Sequence, residues 1–147
     1  MIIATVAGVG NVPVASGTFG SLVAVPLLPA LAALRDASIA GYAGALVLLV
    51  AVAVWSAGRA EEALGGHDHS RIVIDEVAGM VTTGIFLPPT WGAIGIGFVL
   101  FRLFDVVKPF PAGLIDGRVE GGFGVVGDDL VAGLYAGALA WVLLRLA

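Results

Sequence analysis

The chain contains no cysteine, which excludes disulfides, thiolate metal centres and cysteine-nucleophile chemistry together. Charge is scarce as well: Asp, Glu, Lys and Arg make up 12% of the 147 residues, against roughly 25% in a soluble domain. Only seven Lys and Arg stand against eleven acids, for a net charge of −4. No basic run is present to hold a phosphate backbone, so nucleic acid is not an expected partner. The first 34 residues carry no charge. No positively charged segment precedes that apolar start, so it reads as mature sequence rather than as a leader.

Apolar residues fill the space left by charge. They make up 59% of the chain, and the mean hydropathy is +1.06. The length suits one domain, residues 1–147, and the composition is that of an integral membrane protein. Residues 8–20 read as a loop, broken by Pro13 and Gly17, and residues 20–34 as a first helix bent by Pro26 and Pro29. Residues 37–58 form an uncharged stretch of 22 residues, enough to cross a bilayer core of roughly 20 residues, and the helix is expected to continue to residue 64. Residues 65–70 read as a loop.

Residues 77–101 lack charge throughout and resemble one long span, but Pro88-Pro89 interrupts them. Two prolines remove two donors and push the preceding residue out of the helical region. The segment therefore splits into a helix over 72–86 and another over 90–107. A broken pair of this kind returns the acids before it and the charges after it to one end of the molecule, a geometry tolerated where helices line a cavity. A short helical turn to residue 115, a flexible loop over 121–124 and a last helix opened by Asp128-Asp129 complete the reading. The expected fold class is all-α, a multihelical membrane-associated bundle of five to six helices with a broken central segment.

Eight of the 18 charged side chains fall within residues 102–129. Ionisable groups flanked by membrane-grade segments are costly and are functional suspects. Arg102, Asp105 and Lys108 are spaced to share one helical stripe. That stripe is either a self-satisfied salt-bridged face or a phosphate and metal site, since carboxylates suit Mg²⁺ and guanidinium and ammonium groups suit phosphoryl oxygens. Asp75-Glu76 reads either as a first-turn acid pair favoured by the helix dipole or as a ligand pair. Asp128-Asp129 exceeds the one acid that an N-cap needs. Residues 17–21, with Thr18 and Ser21, are a candidate anion-binding loop at a helix start. His67 and His69 form a weak metal signal in a glycine-rich loop.

Together these segments resemble the phosphatidylglycerophosphatase A family of bacterial lipid phosphatases. The resemblance rests on Gly17-Thr18-Phe19-Gly20-Ser21, Ile72-Val73-Ile74-Asp75-Glu76-Val77-Ala78-Gly79-Met80, Phe101-Arg102-Leu103-Phe104-Asp105-Val106-Val107-Lys108-Pro109-Phe110-Pro111 and Gly121-Gly122-Phe123-Gly124-Val125-Val126-Gly127-Asp128-Asp129, then Ala132-Gly133-Leu134-Tyr135-Ala136. The four blocks follow the family's order. The family's Asp-Pro pair before the acid pair is replaced here by His67-Asp68-His69-Ser70.

The resemblance implies Mg²⁺-dependent removal of the terminal phosphate of phosphatidylglycerophosphate. It also implies residence in the bacterial inner membrane with the site facing the cytoplasm, and a bundle with one central helix. It assigns Glu76, Asp105 and Asp129 to metal, Asp75 and Asp128 as helpers or a general base, Arg102 and Lys108 to the phosphate, and Thr18 and Ser21 to an anion loop. The expected partners are the phospholipid substrate and the membrane, and a homo-oligomer is compatible with the sequence. The competing reading is a small polytopic transporter or channel with intramembrane acids.

Overall fold

A computed structural model describes residues 1–65 and 69–147. The described residues form seven α-helices, or six if the first two are taken as one bent helix: α1 Ser16–Ala24, α2 Leu27–Ala37, α3 Ile39–Leu64, α4 Ile74–Thr83, α5 Trp91–Val107, α6 Ala112–Arg118 and α7 Gly122–Leu146. Single 3₁₀ turns cover Val9–Asn11 and Gly84–Phe86. The all-α expectation holds, and the described residues contain no strand. The histidine-bearing loop falls partly on residues 66–68, which lie outside the described residues.

Local chemistry accounts for most boundaries. Pro26 ends α1 and caps α2, while Pro29 is tolerated because it lies in the first turn, where amides have no intrahelical partner. The single helix expected over 20–34 is therefore two, and it begins at Ser16. Ser38 caps α3 by accepting from the Gly41 amide at 3.0 Å, and Gly65 closes α3 at φ +74°, where a residue without Cβ is at no disadvantage. Thr90 caps α5 by accepting from the Ala93 amide at 3.4 Å. The break at Pro88-Pro89 separates α4 from α5 as the proline pair requires.

The last helix departs furthest from expectation. It starts at Gly122, not at Asp128, so 121–124 is a helix start rather than a flexible loop. A Cβ at Gly122 would collide with the Val54 carbonyl of α3. The glycine run therefore serves a helix crossing, a long-range reason that local propensity does not express.

α4 is the central helix. Ile74, Asp75 and every residue from Val77 to Thr83 are buried, and α4 packs against α1, α3, α5 and α7. Its contact with α7 is made by backbone: a Cβ at Gly133 would strike the Gly79 carbonyl, and one at Gly137 would lie 2.8 Å from the Thr83 carbonyl. Residue pairs across these contacts show that α1–α2, α4 and α7 run in one direction. α5 runs the other way, with Gly97 beside Thr83 and Phe101 beside Gly79. α3 also runs the other way, from Ser38 to the Gly58–Gly122 crossing.

The outer faces are apolar, with Leu48, Trp55, Val99, Leu103, Val142 and Leu143 exposed. Three segments, Ser16–Ala37, Ile39–Leu64 and Gly122–Leu146, are long and apolar enough to cross a membrane.

Candidate active site

The start of α4 is fixed by the N-terminal segment, whose Ala4 carbonyl accepts from the Val73 amide at 2.9 Å and the Ile74 amide at 3.2 Å. This places Asp75 and Glu76 in the first turn of a buried helix. The proline break brings the end of α5 back to the same level. α7, having begun early, passes through this level at its second turn, so Asp128 and Asp129 project from inside a helix and not from its cap.

These three origins meet around a cavity of about 250 Å³ lined by Asp75, Glu76, Asp105, Val106, Lys108, Asp128 and Asp129. Asp75, Glu76 and Asp129 each offer an oxygen such that all three lie within 4.8 Å of one another. Glu76 Oε2 and Asp129 Oδ2 are buried without a hydrogen-bond partner. Buried polar atoms are almost always satisfied, so such a pair of oxygens marks a place built for another ligand. The donors are all carboxylate oxygens, the set preferred by hard divalent cations. Five carboxylates share this region with only two cations, Arg102 and Lys108, a charge excess that a divalent ion would reduce.

Asp105 lines the same cavity but has a different partner: its Oδ2 lies 2.6 Å from Arg102 Nη1. Of the acids expected to hold metal, Glu76 and Asp129 belong to the tight triplet. Asp75 completes it, with Asp105 alongside. Burial pushes the Glu76 carboxyl above the ordinary carboxylate range. The charge of Asp105 adds to that, while a hydrogen bond with Asp75 and the charge of Arg102 oppose it.

Of the two cations, Lys108 lines the cavity and Arg102 reaches it through Asp105. Lys108 closes α5 in the left-handed region at φ +46°, a conformation uncommon for a residue with a side chain. Its Nζ reaches Asp128 Oδ2 at 2.6 Å and Asp116 Oδ1 of α6 at 2.8 Å. Asp116 belongs to the charged island of the sequence, but no helical spacing ties it to Lys108. Only the fold of α6 back onto the end of α5 reveals the pair. Arg102 Nη1 also donates to Ser21 Oγ at 3.4 Å, and Ser21 in turn donates to the Gly17 carbonyl at 2.9 Å.

The anion loop expected at residues 17–21 is not a loop. These residues lie within α1, where the Thr18 and Phe19 amides both donate to the Ala15 carbonyl, at 2.9 and 3.3 Å. Ser21 is fully buried and Thr18 half-buried. Gly17 matters for its lack of a side chain, since a Cβ there would collide with Glu76 Oε1 and lie 3.2 Å from Arg102 Nη1. That lack lets α1 close over the acid pair.

Among the described residues, the one acid at the opposite end of the bundle is the exposed Asp36, paired with Arg35 at 3.6 Å. The acids therefore gather at one end and do not line a path through the bundle, as a transporter would require.

The family model described as "PgpA: Phosphatidylglycerophosphatase A" matches residues 2–144. The chain is 35% identical over 135 residues to "Phosphatidylglycerophosphatase A" of Escherichia coli strain K12, covering 91% of this chain and 77% of that protein. It is 37% identical over 130 residues to the protein of the same name from Haemophilus influenzae, covering 88% and 78%. It is also 35% identical over 142 residues to a Bacteroides thetaiotaomicron protein named "Putative phosphatidylinositol-3-phosphatase", covering 92% and 87%. No solved structure matches the chain significantly.

Proposed function

The chain belongs to the phosphatidylglycerophosphatase A family, and on that premise we propose that it hydrolyses the terminal phosphomonoester of phosphatidylglycerophosphate with the help of Mg²⁺. The observation that carries the reading is the convergence of Asp75, Glu76 and Asp129 within 4.8 Å, in a cavity whose lining includes Lys108 and whose Asp105 is paired with Arg102. The Bacteroides relative's name carries a different headgroup on the same chemistry, a phosphomonoester attached to a phospholipid. The terminal phosphate is thus the part of the substrate that the acid cavity addresses.

Asp75, Glu76 and Asp129 would hold the ion, which when bound neutralises phosphoryl oxygens and polarises phosphorus. The chain's own groups do the rest. Arg102 and Lys108 present donors to the phosphoryl oxygens. Asp105 and Ser21 keep the Arg102 guanidinium aimed, as Asp116 does for the Lys108 ammonium. Asp128, hydrogen-bonded to Lys108 at 2.6 Å, orients that ammonium and can accept a proton as water enters. In the overall step an oxygen from water bonds to phosphorus, the bond from phosphorus to the glycerol oxygen breaks, and that oxygen leaves as an alcohol carrying a proton. Thr18 stays in the proposal only as part of the α1 wall.

The distribution of cations supports a cytoplasmic site in a bacterial inner membrane. Arg59, Arg71, Arg102, Lys108 and Arg118 lie at the site end, whereas only Arg35 and Arg145 lie at the other, and cytoplasmic ends carry the excess of Lys and Arg. The test is phosphate release from phosphatidylglycerophosphate in detergent micelles, with Mg²⁺ and with a chelator. The wild type should lose activity in chelator and regain it with Mg²⁺, and Asp129→Asn should be at least about 100-fold slower, since a displaced ligand costs at least that. Undiminished release in chelator would remove the metal from the proposal. Release from other phosphomonoester lipids but not from this one would change the substrate.

A further inference from the structure

A second cavity, of about 530 Å³, adjoins the acid cavity and shares Glu76 with it. Its lining includes Asn11, Ser16, Ser70, Arg71 and Arg102. The acid cavity is dominated by carboxylates, but this cleft brings two guanidinium groups together with neutral polar groups. No acid among the described residues forms an ion pair with Arg71, which is exposed. The walls are built by backbone contact: a Cβ at Gly10 would collide with the Arg71 carbonyl, and Ser16 Oγ donates to the Ser70 carbonyl at 2.7 Å. The start of α1, which has no side-chain cap, opens into the same space and adds the positive end of a helix dipole.

We infer that this cleft is a second anion subsite, which holds the phosphodiester of the lipid while the phosphomonoester occupies the acid cavity. The inference rests on the substrate proposed above, whose two phosphates are joined by a single glycerol and so require two adjacent sites. Arg102 serves both sites, because it lines the cleft while its Nη1 is bound to Asp105 of the acid cavity. Arg71 serves the cleft alone. The surroundings suit a diester in particular, since α1, whose start lines the cleft, carries Phe19 and Leu22, both 45% exposed, as apolar surface for the acyl chains. A free phosphate would have no use for that surface.

The two products of the reaction separate the two anions: phosphatidylglycerol keeps the diester, and inorganic phosphate takes the other group. In Arg71→Ala, the inhibition constant of short-chain phosphatidylglycerol should rise roughly tenfold, the effect of one charge-assisted contact at a partly exposed site. That of inorganic phosphate should be unchanged, KM for the substrate should rise, kcat should hold, and Arg71→Lys should recover part of the loss. An equal effect on both products, or on neither, overturns the inference. Binding of phosphatidylglycerol read as a thermal shift needs no turnover. A wild type that binds this lipid through Arg71 yet releases no phosphate therefore refutes the proposed activity and leaves the subsite standing.

Discussion

Gly17→Ala is a small substitution aimed at one distance. The new methyl would collide with Glu76 Oε1 and approach Arg102 Nη1 to 3.2 Å. Both obstacles are ends of flexible side chains, so the fold can yield without moving α1. Overpacking costs about 1–3 kcal/mol, while replacing glycine by alanine inside a helix returns about 1 kcal/mol. The net loss of stability is thus at most about 2 kcal/mol, and Tm should fall by about 2–4 °C for each kcal/mol lost. Activity follows a different rule. Glu76 must rotate off the triplet that it forms with Asp75 and Asp129, and a misplacement of about 1 Å in a reacting constellation costs on the order of 100-fold.

The control is Gly20→Ala, one turn along α1, whose methyl meets Val73 Cβ at 2.9 Å and the Val73 carbonyl at 3.0 Å. Backbone cannot swing aside, so this variant should lose more stability and less turnover per folded molecule than Gly17→Ala. The assays are phosphate release in micelles and thermal unfolding in the same detergent. Wild-type turnover in a folded Gly17→Ala protein would refute the placement of Glu76 in the machinery.

Two other outcomes follow from the same geometry. Lys108→Met removes the ammonium held between Asp116 and Asp128. It should cost about 2 kcal/mol, below the range for a fully buried pair because Lys108 is partly exposed, and should abolish phosphate release; an unchanged Tm would show that the bridge carries no stability. The raised pKa of Glu76 sets a pH dependence. In the cation-free protein its contribution to stability is full below about pH 4 and is lost as pH rises through the folded pKa, because ionising a buried carboxyl is costly. A divalent cation removes that cost, so the gain in Tm on adding Mg²⁺ should grow as pH rises from acid to neutral, and a gain that does not vary with pH would contradict it.

What could be read from the sequence was whatever depends on neighbours along the chain. The i, i+3 spacing of Arg102 and Asp105 predicts a shared stripe, and they are paired at 2.6 Å. The proline pair predicts a break, and the break brings Asp75-Glu76 to the level of Asp105 and Lys108. What depends on neighbours across the bundle was not legible. Gly17 and Gly122 carry the loop signature of their residue type, yet each lies in a helix because a backbone or carboxylate from elsewhere occupies the space of a side chain. The same spacing that pairs Asp105 with Arg102 draws it toward the guanidinium, which leaves Asp75 as the third member of the oxygen triplet. Arg71 gave no signal at all, since a single arginine after a loop is ordinary until the N-terminal segment is seen folded over it.

The alternating helix directions make the molecule polar from end to end. α1 begins, and α3 and α5 finish, beside the acids, whereas α7 carries the chain away and ends at Leu146 on the far side. A protein arranged in this way gives the two leaflets of a bilayer unequal faces. One face holds nearly all the charge and both cavities that share Glu76, and the other holds little beyond Arg35, Asp36 and Arg145. On the proposed function, a lipid with its headgroup in one leaflet would meet the acid cavity, and the same lipid after flipping would not. Leaflet asymmetry, which a bilayer maintains only by restricting flip-flop, thus becomes part of the enzyme's selectivity without any residue devoted to it.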